Sequence, residues 1–136
     1  MRRLVRGVAL VFAAGALGGL ANGFAVWLSG AHGLTAALGV AIAPALSAPW
    51  LYPRIVWGGI WGLLFMLPVP RAAWWVRGLV FSLGPSAVQL FVVFPEKTPH
   101  GMAGLGLGSL TPLAVVVFNA VWGLAAAGQL RITGRG

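Results

Sequence analysis

Residues Leu51–Pro68 read LYPRIVWGGIWGLLFMLP. The run is apolar enough to cross a bilayer, which takes about 20 residues as a helix. It nevertheless carries a cation, Arg54, near its start. It also holds the small-residue pair Gly58 and Gly62, and a phrase, R-I-V-W-G, that returns as N-A-V-W-G at Asn119–Gly123. This combination predicts an all-α integral membrane protein in which a two-helix unit occurs in tandem.

Composition sets the class. Of 136 residues 60% are hydrophobic and 7% charged, where a soluble domain carries roughly 25% charged residues. Such a chain cannot clothe a globule in polar groups, so lipid is its solvent and one transmembrane domain spans 1–136. The net charge is +8 and the only acid is Glu96. The basic residues stand at the ends of apolar runs, where the positive-inside rule and anionic headgroups account for them. Membrane lipids are therefore the expected partners, and nucleic acid is not. The absence of cysteine excludes disulfides, thiol catalysis, thiolate metal sites and iron–sulfur clusters. The N-terminus, MRRLVRGVALVFAAGALGG, resembles the start of a signal peptide. Its apolar run continues to Leu28, however, about 21 residues, longer than the 7–15 of a signal-peptide core. It reads as a retained span.

Taken in order, the chain gives a basic head at Met1–Gly7 and a first span at Val8–Leu28. Gly15, Gly19 and Gly23 stand four apart on one face of that span, and this spacing lets another helix approach closely. Asn22 lies beside the ridge. Ser29–Gly33 is a break. Leu34–Ala48 is apolar, contains Pro44 and is short for a span, as re-entrant or interfacial segments are. The second span covers Trp50–Leu67, entered past Pro49 and Pro53 and ended by Pro68 and Pro70. Arg71–Arg77 is an aromatic and basic collar. The third span runs on to Phe94, with a kink at Gly84-Pro85, Ser82 and Ser86 at small-residue spacing, and Gln89 as its polar side chain. Residues 95–100, PEKTPH, are the hydrophilic loop. Gly101–Leu110 is a second short, glycine-rich segment. The fourth span is Thr111–Leu130, with Pro112 in the first turn, where proline is tolerated. Four spans, with both short segments on the outer side, leave Arg2, Arg3, Arg6, Arg71, Arg77, Arg131 and Arg135 inside and Arg54 and Lys97 toward the outside. That bias argues for cytoplasmic termini in a multi-pass protein of the cell's inner (plasma) membrane.

The halves 1–70 and 71–136 then match as span, His-Gly loop, short segment, span. His32-Gly33-Leu34 corresponds to His100-Gly101-Met102, and these are the chain's two histidines. Histidine precedes the tryptophan of V-W-G by 25 residues in the first half and 22 in the second, while Asn22 lies 10 and Gln89 11 residues before its own histidine. Arg54 and Asn119 thus become equivalent, as do Asn22 and Gln89. Together they form a candidate ligand or pore site in the middle to outer membrane. Arg54 supplies fixed positive charge that attracts anions and repels cations, and the amides supply hydrogen bonds. The competing expectations are that Arg54 snorkels to headgroups beside Trp50 and Tyr52, and that the amides only tie helices together. Gly15, Gly19, Gly23, Gly58 and Gly62 are the expected packing positions. Most of the tryptophans fall near span ends, as the interfacial aromatic belt explains.

Chemistry beyond binding has little to work with. Two histidines without acidic or thiol neighbours make a poor metal site, and Gly104, Gly106 and Gly108 lack the spacing and following acid of a dinucleotide loop. No carboxylate pair or nucleophile with a neighbouring base is present, so no cofactor and no catalysis are expected. The leading functional expectation is a channel- or transporter-like protein passing a small anion or neutral solute, working as a homo-oligomer. The alternatives are a non-catalytic accessory or assembly subunit of a larger membrane complex, and a lipid- or pigment-binding protein.

Overall fold

The computed structural model describes residues 1–68 and 71–134. Pro70, expected to help end the second span, and Arg135, counted among the inner cations, lie outside them. Among the described residues the chain is helical with no strand: α1 (Arg2–Ala31), a single turn α2 (Leu34–Ala37), α3 (Ala48–Gly62), α4 (Trp74–Val88) and α5 (Thr111–Ile132). Three helices are long and apolar enough to cross a membrane: α1, α4 with its continuation to Lys97, and α5.

The boundaries depart from expectation for local reasons. Helix α1 begins at Arg2, because arginine is a good helix former, and it runs through Ser29 and Gly30 to Ala31. Gly30 stays helical while the chain crosses it closely; a Cβ there would lie 2.6 Å from Ala43 Cα. The break falls instead at Gly33, whose φ of +78° is left-handed and ends a helix readily only as glycine. The apolar stretch expected over Leu34–Ala48 contains one helical turn and then irregular chain. Thr35 Oγ1 donates to Ile42 O at 2.7 Å, and the Ala41 amide donates to Leu107 O at 2.8 Å. The short segments of the two halves therefore touch.

Helix α3 is 15 residues long, with Pro49 in its first turn. After Gly62 it tightens into a 3-10 turn, Leu63–Met66. Its α-helical part alone is shorter than the roughly 20 residues of a crossing. Helix α4 passes through Pro85. Proline has no N–H to give back along the helix, and beyond it the ladder widens to a π-helix over Gln89–Lys97. The helix thus continues into residues expected as loop. Its last turns are held by Leu90 and Phe94, buried with Val115 of α5. The glycine-rich segment Met102–Leu107 is a broken 3-10 turn, with Ala103 and Gly104 both at positive φ (57° and 68°). Gly104 is doubly required, because a Cβ would also meet the Phe94 ring at 2.9 Å.

Glycine contacts define the packing. Along α1 from Val11 to Gly23, the partners on α3 run backward from Gly62 through Gly58 and Arg54 to Leu51, so the helices are antiparallel. A Cβ on Gly58 would lie 2.6 Å from Gly15 O and 2.9 Å from Gly19 Cα. Helices α4 and α5 pair in the same sense, Gly78 against Gly123 and Ser86 against Asn119. Helix α1 also meets α5 antiparallel, Gly18 on Trp122 and Asn22 on Phe118. The basic head, Trp74 and the end of α5 therefore share one end of the bundle, here the basic end. His32, Glu96 and His100 mark the other, the loop end. Val11, Ala14, Phe65, Phe81, Trp122 and Ala126 form the core toward the basic end. The end of α3 and the 3-10 turn after it meet α4 there, where the Phe65 and Phe81 rings are 4.9 Å apart and Trp61 and Leu64 approach Gly84. Toward the loop end α3 and α4 part.

Candidate functional site

The parting of α3 and α4 leaves a cleft of about 550 Å³. Its back wall is α1 and α5, through Gly19, Asn22, Asn119 and Trp122. Its sides are α3, through Trp50, Arg54, Trp57 and Trp61, and α4, through Pro85, Val88, Gln89 and Val93. Arg54, Asn22, Gln89 and Asn119, picked out from the sequence on two separate pairs of spans, all line this one cavity.

They are joined in two parallel pairs. Arg54 Nη1 donates to Asn22 Oδ1 at 2.9 Å, and the guanidinium carbon lies 4.4 Å from the Trp50 ring centroid. Asn22 is buried and its Nδ2 donates to Phe118 O at 2.8 Å, so both ends of its amide are used. On the opposite side Asn119, also buried, donates from Nδ2 to Ser86 Oγ at 3.1 Å. It reaches Gln89 Oε1 at 3.4 Å, too long for a strong bond. Ser86 Oγ in turn donates to Ser82 O at 2.8 Å. Between the pairs, Trp122 Nε1 donates to Gly15 O at 3.1 Å and Gly58 O at 3.2 Å. That indole pins α5 at the crossing of α1 and α3.

The electrostatic consequence concerns Arg54. Both of its partners among the described residues, an amide oxygen and an aromatic face, are neutral, so neither offsets a positive charge there. The only acid in the chain, Glu96, is exposed near the loop end. The Asn22 bond occupies one of the several N–H donors of a guanidinium, which is built for bidentate binding of carboxylate or phosphate oxygens. Toward the basic end the cleft meets the aromatic core. Trp61 and Trp122 line that end, and behind Trp122 the Phe65 ring packs with its centroid 6.0 Å from the indole and 4.9 Å from the Phe81 ring.

Other expected positions fall differently. Arg54 is directed to Asn22 rather than extended to a bundle end. The amides do tie helices together, as the competing expectation had it, and they line the cleft as well. Gly15, Gly19, Gly58 and Gly62 sit at the α1–α3 crossing, while Gly23 meets the Leu51 side chain. His32 is exposed, and His100 lies edge-on to Phe94 with centroids 6.3 Å apart. Among the described residues, no group of three or more potential metal ligands forms. Trp122 is 3% exposed inside the bundle, and Trp57 and Trp61 line the cleft wall. Gly18 against Trp122 and Gly78 against Gly123 are further close-packing positions. Gly78, Ser82 and Ser86 form a second four-residue ladder that the glycine count alone conceals. Comparison with protein-family models, with curated proteins and with solved structures found no match.

Proposed function

We propose that this is a transporter-like membrane protein that binds an anion in the cleft between α3 and α4. The observation that carries the reading is Arg54, half-buried in the cleft wall with only neutral partners among the described residues. A guanidinium held away from bulk water without a counter-charge favours an anionic ligand. The packed aromatic core between the cleft and the basic end favours a carrier that must rearrange over a pore that stands open. The roles follow from position. Arg54 holds the charge, Asn22 orients Arg54, and Gln89 faces the ligand from α4. Asn119 and Ser86 brace that wall. The residue types offer no nucleophile with a base, so the reading is non-catalytic.

This proposal includes the membrane topology. The basic end is cytoplasmic, since Arg2, Arg3, Arg6, Arg71, Arg77 and Arg131 gather there. The cleft then opens to the outer half of the bilayer, and α3 with its 3-10 extension serves as a fourth, short span. It also includes the tandem repeat. Its support is that the glycine of each V-W-G stands at its half's helix crossing and that Arg54–Asn22 and Asn119–Gln89 pair alike.

The test is flux in proteoliposomes of chloride, nitrate, phosphate and carboxylates from acetate to octanoate. Wild-type protein should move at least one of them faster than empty vesicles. Arg54→Gln should reduce that flux about tenfold or more, the loss expected for one charged hydrogen-bonding partner. No anion moved and none bound by folded protein would end the reading.

A further inference from the structure

Building on the anion-binding reading, we infer that the ligand is an amphiphile of the outer leaflet, a single acyl chain with a phosphate or carboxylate head. The first reason is size. Clefts of roughly 300–1,000 Å³ suit ligands of drug size. At about 550 Å³ the cavity would leave most of its volume to something else if it held only an inorganic anion at Arg54. The second is the split of its walls. Its charge and its amides are supplied by Arg54, Asn22, Gln89 and Asn119, and the larger part of the wall is apolar, with Trp57, Trp61, Pro85, Val88 and Val93 among its residues. That is a charged station with an apolar runway beside it. The third is access. Trp57 is 60% exposed, and Val88 and Val93 are each 37% exposed, so the seam is open along its side as well as at its mouth. In a bilayer that side faces acyl chains. A chain can lie against Trp57 and Val88 while its head reaches the guanidinium, with no need to carry the tail through water.

The head chemistry follows from Arg54. Oxyanions accept its fork of N–H donors, whereas a zwitterionic choline head places a second cation beside the first. The occupant is therefore distinguished from zwitterionic lipid by net charge and from free phosphate by its tail.

The test uses the full chain in neutral detergent. The probe is a lysophosphatidic acid with bromines on its acyl chain. Bromine quenches indole at short range, and Trp50, Trp57 and Trp61 line the cleft. Comparators are the lysophosphatidylcholine of identical chain and inorganic phosphate as competitor. Quenching by the anionic probe should saturate at least about tenfold more tightly than that by the choline probe, and Arg54→Gln should erase the difference. Val88→Phe narrows the runway and leaves Arg54 in place. It should weaken the amphiphile about tenfold and phosphate far less, so it decides even where Arg54→Gln fails to fold. Phosphate that binds as tightly as the probe and depends on Arg54 would overturn the amphiphile and leave the anion reading standing. Equal quenching by both lysolipids, insensitive to Arg54→Gln in folded protein, would overturn both. Unchanged amphiphile binding by Val88→Phe would overturn the placement of the tail.

Discussion

Two seams join the first pair of long helices to the second, α1 against α5 and α3 against α4. The first is packed through the middle of the bundle and the second opens into a cleft. The difference lies in what each seam offers an approaching tryptophan. Trp122 enters the first because α1 presents Gly18; a Cβ there would lie 2.7 Å from the indole Cδ1. Trp57, its counterpart in the V-W-G echo, does not enter α4. In the proposed repeat register Gly18 stands four residues before Asn22, and Pro85 stands four residues before Gln89. A bulky ring replaces bare backbone at the point where a second indole would have to dock. Without a hydrophobic drive between helices in lipid, close approach over small residues decides which seams shut. One seam therefore holds the bundle together, and the other is left available for a ligand.

The largest effect should come from filling the closed seam. Gly18→Val drives atoms against Trp122 O, which a Cβ at Gly18 would already meet at 2.6 Å. Backbone cannot yield as a side-chain end can, so the cost should sit at or above the upper end of overpacking, about 3 kcal/mol. Gly84→Val is the matched change where α3 and α4 touch. A Cβ there would lie 3.3 Å from Leu64 Cδ1 and from Trp61 Cζ3, both ends of movable side chains, and its cost should be below about 1 kcal/mol. Denaturant unfolding in mixed micelles would compare them. Equal losses would mean that the two seams are packed alike.

Much of this was legible in the sequence, and the reasons are specific. The four-residue glycine spacing in α1, the Gly58–Gly62 pair and the V-W-G echo located the helix crossings, because close packing in lipid needs small residues at helical spacing. Arg54, Asn22, Gln89 and Asn119 stood out because polar side chains in apolar runs are costly and rarely idle. Hidden were the features set by three-dimensional context. The continuation of α4 through Pro95 depends on Leu90 and Phe94 packing on α5. The collapse of Leu34–Ala48 to one turn depends on the far segment that supplies Leu107 O. The burial of Trp122 depends on Gly18, a glycine outside the four-residue ladder of Gly15, Gly19 and Gly23, facing a different helix.

Next in size is the tryptophan pair. Trp122→Phe removes an indole N–H shared by Gly15 O and Gly58 O and leaves a cavity at 3% exposure. Loss of an interhelical bond and of buried ring volume together should cost about 2 kcal/mol. Trp57→Phe, at 60% exposure, should cost under about 0.5 kcal/mol. The same unfolding experiment separates them. A Trp57 effect as large as that of Trp122 would indicate that the second seam closes on its indole in solution.

The smallest expected effect tests the polar pairs that face each other across the cleft. Asn22→Leu removes two bonds, to Phe118 O at 2.8 Å and from Arg54 at 2.9 Å. Interhelical bonds in membranes average about 0.6 kcal/mol each, so a loss of about 1 kcal/mol is expected. Gln89→Leu removes one contact of 3.4 Å, and Asn119 keeps its 3.1 Å bond to Ser86; the loss should be a few tenths of a kcal/mol. Binding should follow a different order from stability. Asn22→Leu lets Arg54 leave its tether, which lowers ligand affinity through misplacement while the charge stays. Gln89→Leu removes a group facing the ligand from a wall that remains braced. If anion binding by Asn22→Leu matched wild type, Arg54 would need no orienting partner, and the two pairs would differ in chemistry but not in function.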